Sequence, residues 1–298
     1  MDKIYKESDT MTYTQDSIKK LQNVQLEIYK DFEKICNDLG LPMFVIGGSA
    51  IGAFRHDGFI PWDDDIDVCM IREDYNKLMK ALEESPDEKY ELIAAENQKG
   101  YVLAFGKFSK KGTEFIEGAH SYRKYIPGIA IDIFPYDAAA ENEKDRKKQI
   151  KKAWFWNRVM VLAEYSTPTL PPKMNSVLKS ILSFICACIH YGLRLVGFTR
   201  EKAYKNYLKY AAAYNGKTDA YYADFSHPNP ESVRVAKDVM FPVREIAFED
   251  TTIQVMNQVE VHLTGEYGDY MQLPPEEKRL NHPPKYVNFG DGEIIGEK

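Results

Sequence analysis

Between Gly47 and Val68 the chain reads GGSAIGAFRHDGFIPWDDDIDV. A glycine turn bearing Ser49 leads into a short apolar helix. A basic pair follows at Arg55 and His56, and carboxylates then gather at Asp63, Asp64, Asp65 and Asp67. Residues two apart on a strand face the same way, about 7 Å from each other. A strand over 65–71 would therefore aim Asp65 and Asp67 together. Two carboxylates at that spacing raise each other's pKa, and a shared cation relieves the repulsion. Backbone N–H groups and a serine at a helix start, here Gly47, Gly48 and Ser49, suit a phosphate. These residue types at these spacings predict metal-assisted chemistry on a phosphate ester.

A third carboxylate, Asp132, stands between Ile131 and Ile133 in the apolar stretch GIAIDIFPYD. It would complete a site for one or two Mg2+ (or Mn2+) ions, or act as base toward an attacking hydroxyl. The structural alternative is a buried aspartate paired with arginine or capping a turn. Asp63 and Asp64 read as supports of the ligands. Arg55 and His56 would bind a second phosphate, or else pair with Asp57 or Asp63. Lys107 and Arg123 are further candidates for a donor phosphate. Phe59 and Trp62 are expected to anchor the loop, and His282, beside Arg279, either closes over a donor or packs. An EF-hand is excluded, because Val68 and Asp74 occupy the positions that require glycine and glutamate. GGSAIG also has neither the GxGxxG spacing nor a Walker lysine.

The elements that must position these residues follow from periodicity. Thr14 or Ser17 caps a helix toward Leu39, with Ile18, Leu21, Ile28, Phe32, Ile35 and Leu39 on one stripe. MFVIGG is a buried strand entering the glycine turn, and residues 49–56 form the short helix. After the strand at 65–71 comes a helix over 72–84, then strand-like stretches at 90–95, 101–109 and 114–116. The strand carrying Asp132 closes at Pro135. The fold class expected is α+β: a mixed sheet with flanking helices over about 45–137, followed by a mainly helical second half. Helices are expected at 141–164, 175–196 and 200–215, and near 258–264. Short strands are expected at 220–225, 233–236 and around 246–253. The expected division is a catalytic core with its N-terminal helix over 1–140, and a substrate- or acceptor-binding region over 141–298.

Composition narrows the classes. A chain of 298 residues with 44% apolar and 28% charged residues is an ordinary globular protein with ample core. Its net charge of −6 argues against a broad nucleic-acid-binding face. Cys36, Cys69, Cys186 and Cys188 lack zinc spacing and read as free thiols of a reducing compartment. The N-terminal residues lack the apolar core of a signal peptide. No stretch reaches roughly 20 uninterrupted apolar residues, so the protein reads as cytoplasmic without a transmembrane segment. The run SILSFICACI is apolar nearly all round and suits a central buried helix. Docking on a membrane surface, at the inner face, is the alternative; the helix lacks flanking basic clusters in sequence.

GGSAIGAFRHDGFIPWDDDIDVCMIREDY resembles the signature of the LicD family, which is similar to fukutin-type proteins and to the wider nucleotidyltransferase-fold superfamily. That pattern is a glycine turn and helix, an Asp-x-Asp strand and a third carboxylate on a neighbouring strand. Gly47, Gly48, Ser49, Asp65, Asp67 and Asp132 match it in order. GIAIDIFPYD and EYGDYMQLPPEEKRLNHPP resemble two further blocks, so the resemblance spans about residues 28–285. It implies a nucleotidyltransferase-like sheet and Asp65, Asp67 and Asp132 as metal ligands. It also implies transfer of phosphocholine, or a polyol phosphate, from a CDP-linked donor to a hydroxyl of a glycan or lipid-linked glycan, with CMP leaving. The competing readings are an Asp-x-Asp glycosyltransferase using a nucleotide sugar, a conventional nucleotidyltransferase releasing pyrophosphate, and a non-catalytic scaffold.

Overall fold

The computed structural model describes residues 13–117, 125–168, 170, 174–275, 279 and 284–297. Helix α1 (Gln15–Asp38) forms where the apolar stripe predicts it. Thr14 Oγ1 accepts the Ser17 N–H, and Ser17 Oγ accepts the Thr14 N–H, a reciprocal cap. Its inner face buries Ile18, Leu21, Ile28, Tyr29 and Phe32.

The chain then runs β1 (Phe44–Val45), α2 (Gly47–His56), β2 (Asp67–Ile71) and α3 (Arg72–Glu84), followed by β3 (Tyr90–Ile93), β4 (Gly106–Lys110), β5 (Glu114–Glu117) and β6 (Ala130–Ala138). The main sheet has the order β1-β2-β6-β4-β3. β2 lies parallel to β6, and the other neighbours on this path are antiparallel. The parallel pair sits at the centre because its strands are apolar at both faces: Val68, Cys69 and Met70 are buried, as are Ile131 and Ile133.

Three helices follow, α4 (Glu143–Glu164), α5 (Ser176–Leu195) and α6 (Arg200–Ala211), with α4 and α6 packed on each other. The chain returns to the sheet through β7 (Tyr221–Ala223), which pairs with the end of β6 and with β8 (Val235–Ala236). A short helix α7 (Lys237–Met240) precedes the hairpin of β9 (Arg244–Phe248) and β10 (Thr251–Val255). Helix α8 (Val259–Tyr267) follows, and β11 (Pro284–Asn288) joins β5 to β12 (Ile294–Gly296). The architecture is α+β, as expected. The helical content of the second half is concentrated in α4–α6.

The main core draws from both halves of the chain: Phe32, Phe44, Met70 and Ile133 meet Phe248, Val255 and Leu263. A second cluster lies under α4 and α6, with Met160, Ala203 and Tyr207 against Tyr101 and Phe225.

Two expectations are corrected. First, the strand expected over 65–71 begins only at Asp67, so Asp65 belongs to the preceding loop. Second, the apolar helix is not a core helix. α5 buries only His190, and just 6% of its most apolar window is covered, although by length and composition it is apolar enough to cross a membrane. The sequence correctly marks α5 as an apolar helix, but not that its apolar side chains lie exposed.

The buried His262 of α8 makes the fold pH-sensitive. Burial first, and the neighbouring His227 second, lower its imidazole pKa to about 4. The unfolded chain takes up this proton near pH 6.5 while the folded one refuses it, so stability falls as pH drops from about 6.5 to about 4. The shift corresponds to a loss of about 3 kcal/mol at most. Glu266, 3.7 Å away and itself raised by burial, offers a partial partner once His262 is charged. Thermal melts of His262→Gln across this window are expected to lack this component of the acid limb.

Candidate active site

The register of the sheet places three expected residues side by side. Asp67 on β2 is the direct partner of Asp132 on β6, which is the direct partner of Lys107 on β4. Lys107 Nζ donates to both Asp132 oxygens, at 2.6 and 2.9 Å, and stands 3.7 Å from Glu117. Lys107 is thus the cation that holds Asp132, the pairing expected of an arginine in the structural alternative. Burial still raises the Asp132 pKa, with Lys107 opposing it.

Asp67 is held well above the usual carboxylate range, by burial first and then by the charges of Asp65, Asp132 and Asp63, with Lys107 pulling the other way. Asp63, Asp64 and Asp65 form a second acidic group, each able to present an oxygen within 4.8 Å of the others. The expected trio remains within electrostatic reach of one another, Asp67 and Asp132 both being raised by the charge of Asp65. Asp65 sits with Asp63 and Asp64, Asp132 sits with Lys107, and Asp67 feels both groups. Asp63 and Asp64 are as central to the acidic group as Asp65.

The acidic loop is fixed from both sides. Gln22 of α1 donates to the Asp63 carbonyl at 2.9 Å, and Gln25 to the Asp64 carbonyl at 2.7 Å. The Tyr13 hydroxyl donates to Asp64 Oδ2 at 3.0 Å. Ser49 is buried; its hydroxyl accepts the Asp67 N–H at 3.3 Å and donates to the Asp65 carbonyl at 3.4 Å. Ser49 thus clips the loop onto α2.

Gly47 adopts the left-handed region at φ 61°, and a Cβ there would stand 3.4 Å from Asp67 Oδ2 and 3.5 Å from the Tyr267 hydroxyl. At Gly48 a Cβ would lie 2.5 Å from Asp63 Oδ2. The turn is glycine-rich because the carboxylates press against its backbone. No side chain caps the start of α2, which leaves its first N–H groups without a side-chain acceptor there.

The basic flank is arranged by the carboxy-terminal block. Arg55 Nη1 donates to the carbonyls of Tyr270 and Gln272, while its charge is felt by Asp63. Arg279 lies over the Trp62 ring at 4.8 Å, and His56 meets the edge of the same ring. Burial and then Arg55 depress the His56 pKa. Phe59 packs on Phe248, as an anchor should. Arg123 and His282 lie outside the described residues.

An oxygen-rich group of this kind fits a hard divalent cation such as Mg2+ or Mn2+. The observation that carries the fit is Asp67, whose charge is opposed by three neighbouring carboxylates.

Comparison with known proteins decides the relationship. The chain is 30% identical over 273 residues to the lipopolysaccharide cholinephosphotransferase LicD of Haemophilus influenzae, covering 89% of this chain and 96% of that protein. The chain belongs to the LicD family. It is an enzyme of the phosphotransferase class that the family represents. The family description "LicD/FKTN/FKRP, nucleotidyltransferase domain" matches residues 40–172, which include the glycine turn, the acidic loop and Asp132. An uncharacterized protein of Rickettsia typhi is 25% identical over 131 residues, 42% of this chain and 38% of that one.

Four residues of this LicD-family site escaped the sequence reading. Tyr13 and the pair Gln22 and Gln25 precede the motif and reach it only through the docking of α1. Tyr267, beside Gly47 and Asp67, arrives from α8 in the block EYGDYMQLPP. Its hydroxyl pKa is raised by burial and by Glu266 and Asp67. The abundance of tyrosine, 20 in all, gave no means of choosing it.

Proposed function

We propose that this enzyme transfers a substituted phosphate, phosphocholine in the first instance, from a CDP-linked donor to a hydroxyl of a glycan and releases CMP. The single observation that carries the reading is the row Asp67, Asp132 and Lys107 set beside the glycine turn and the acidic loop. The Haemophilus relative, a lipopolysaccharide cholinephosphotransferase, supports phosphocholine as the group and a glycan as the acceptor. A cytoplasmic location goes with a nucleotide-linked donor.

Asp65 and Asp67, with Asp63 or Asp64, would hold Mg2+ or Mn2+, and the ion would supply positive charge against the diphosphate and the leaving phosphate. The uncapped N–H groups of Gly47, Gly48 and Ser49 orient phosphate oxygens of the donor. Arg55 and Arg279 supply positive charge on the Trp62 side. The acceptor hydroxyl oxygen forms a bond to the phosphorus bearing the choline. The bond from that phosphorus to the oxygen bridging to CMP breaks, and CMP departs with the electron pair. Asp132, aimed by Lys107 and made more basic by burial, takes the hydroxyl proton.

The test is thermal stabilisation by Mg2+ with CDP-choline, CDP-ribitol, CDP-glycerol, UDP-glucose, CTP and ATP. A selective shift with a CDP-linked compound, lost in Asp65→Asn, is expected. Preference for UDP-glucose would instead indicate a glycosyltransferase, and preference for CTP or ATP a conventional nucleotidyltransferase. Gly48→Ala gives an independent check on the cluster. Its methyl must push the Asp63 carboxylate aside, so Mg2+ affinity is expected to fall in a calorimetric titration. Because the displaced atom ends a side chain, the folding free energy should stay within about 1 kcal/mol of wild type.

A further inference from the structure

We infer that the lobe formed by α4, α5 and α6 docks in the plane of an anionic lipid bilayer, with α5 lying in the headgroup region. This inference stands apart from the transfer reaction. α5 presents Ile181, Ile185 and Ile189 to solvent, with Phe184 70% and Leu195 89% exposed. α4 adds Trp154 and Phe155, each about half exposed, and Phe155 meets Trp156, which stacks on Phe198 just after α5. An exposed apolar surface of this kind marks an interaction site.

Charge identifies the occupant. Residues 143–209 carry fourteen Lys and Arg against four Asp and Glu, whereas the whole chain carries 39 against 45. The lobe is thus strongly basic on an acidic protein. Several of these cations are exposed, among them Lys151, Lys152 and Arg158 on α4, with Arg158 over the exposed Trp154 ring and Lys152 over Tyr210 of α6. On α6, Lys202, Lys205 and Lys209 line an open groove of about 680 Å³ together with Phe198.

Apolar side chains with basic residues and an interfacial tryptophan beside them are the attributes of a helix that lies on an anionic membrane. The basic clusters missing from the sequence flanks of α5 are supplied in space by its neighbours. A second copy of the chain is disfavoured, because two such lobes would bring like charges together. A spanning helix is also disfavoured. The His190 imidazole bonds the Leu162 carbonyl at 2.8 Å, and this holds α5 along α4.

The experiment is cosedimentation of the full chain with vesicles of phosphatidylcholine alone and of equal parts phosphatidylcholine and phosphatidylglycerol. Binding is expected only to the anionic vesicles, weakening as salt is raised. The triple variant K202E/K205E/K209E is expected to lose about a hundredfold in partitioning, from roughly 1 kcal/mol per lysine near such a surface. I181E/F184E is expected to abolish binding while keeping the wild-type melting temperature. If that variant fails to fold, quenching of wild-type tryptophan fluorescence by brominated acyl chains, lost in Trp154→Phe, decides instead. The inference is overturned if anionic vesicles are not bound, or if the chain is a dimer that Phe184→Glu splits. It is also overturned if high salt leaves the protein inserted, as for a membrane-spanning helix.

Discussion

Asp67→Asn and Asp65→Asn are each expected to reduce transfer at least about a thousandfold, a loss of about 4 kcal/mol of transition-state stabilisation, without lowering the melting temperature at neutral pH. The second half of the expectation is as informative as the first. In the protein without cation, Asp67 is opposed by Asp65, Asp132 and Asp63, with Lys107 as its counterweight. Replacing one carboxylate by its neutral isostere relieves that repulsion, so stability should hold or rise. Residues kept at a cost to the fold are characteristic of functional sites. The two effects should also be linked through the cation: Mg2+ should raise the melting temperature of the wild type and much less that of either variant. A well-folded Asp67→Asn enzyme with near-normal turnover would remove Asp67 from the reaction.

Asp132 differs because Lys107 already pairs with it. Asp132→Asn should cost at least roughly a hundredfold, the lower scale for removing a catalytic base. It also removes the charge that lies nearest the largely buried Lys107, with Glu117 farther off at 3.7 Å, so here a loss of stability should accompany the loss of rate. This pairing of effects separates Asp132 from Asp65 and Asp67.

The parts of the site legible in the sequence were those encoded locally. GGSAIG had to be a turn and helix, and the apolar flanks of Asp132 had to make an interior strand. The relation of Asp65 to Asp67 was only half legible. Strand spacing brings them together, but Ser49 binds the Asp65 carbonyl and the Asp67 N–H, and β2 begins only after that clip. The pairing of Lys107 with Asp132 depends on the register between β4 and β6, which no local pattern specifies. Tyr13 and Tyr267 reach the site from opposite ends of the chain, so only the packing of α1 and α8 reveals them. α5 failed for another reason. Its composition suits a core helix, and only the packing of α4 and α6 on each other shows that α5 stays outside the core.

Arg72→Met should destabilise the fold by about 3–5 kcal/mol, the cost of leaving a buried charge without its partner. Arg72 begins α3, and its Nε and Nη2 donate to the two oxygens of Asp137 on β6 at 3.0 and 2.9 Å. Both side chains are almost fully buried. Burial lowers the guanidinium pKa, and the charge and hydrogen bonds of Asp137 raise it; the net direction is upward. Asn215, just past α6, donates to Asp137 at 2.7 Å while its own carbonyl accepts the Ala138 N–H at 2.7 Å. The network therefore ties the helix after β2, the end of β6 and the end of the helical lobe at one point, five residues along β6 from Asp132. Asp137→Leu alone should cost a similar amount, because it strands the guanidinium instead. The double variant Arg72→Met with Asp137→Leu should regain much of the loss, since apolar replacements of a buried pair are often near neutral. The unpartnered Asn215 amide would retain a residual cost of about 1–3 kcal/mol. Denaturant unfolding of the three variants measures the coupling directly. Additive losses would mean that the two residues act separately, whereas a double variant more stable than either single one locates the cost in the unpaired charge.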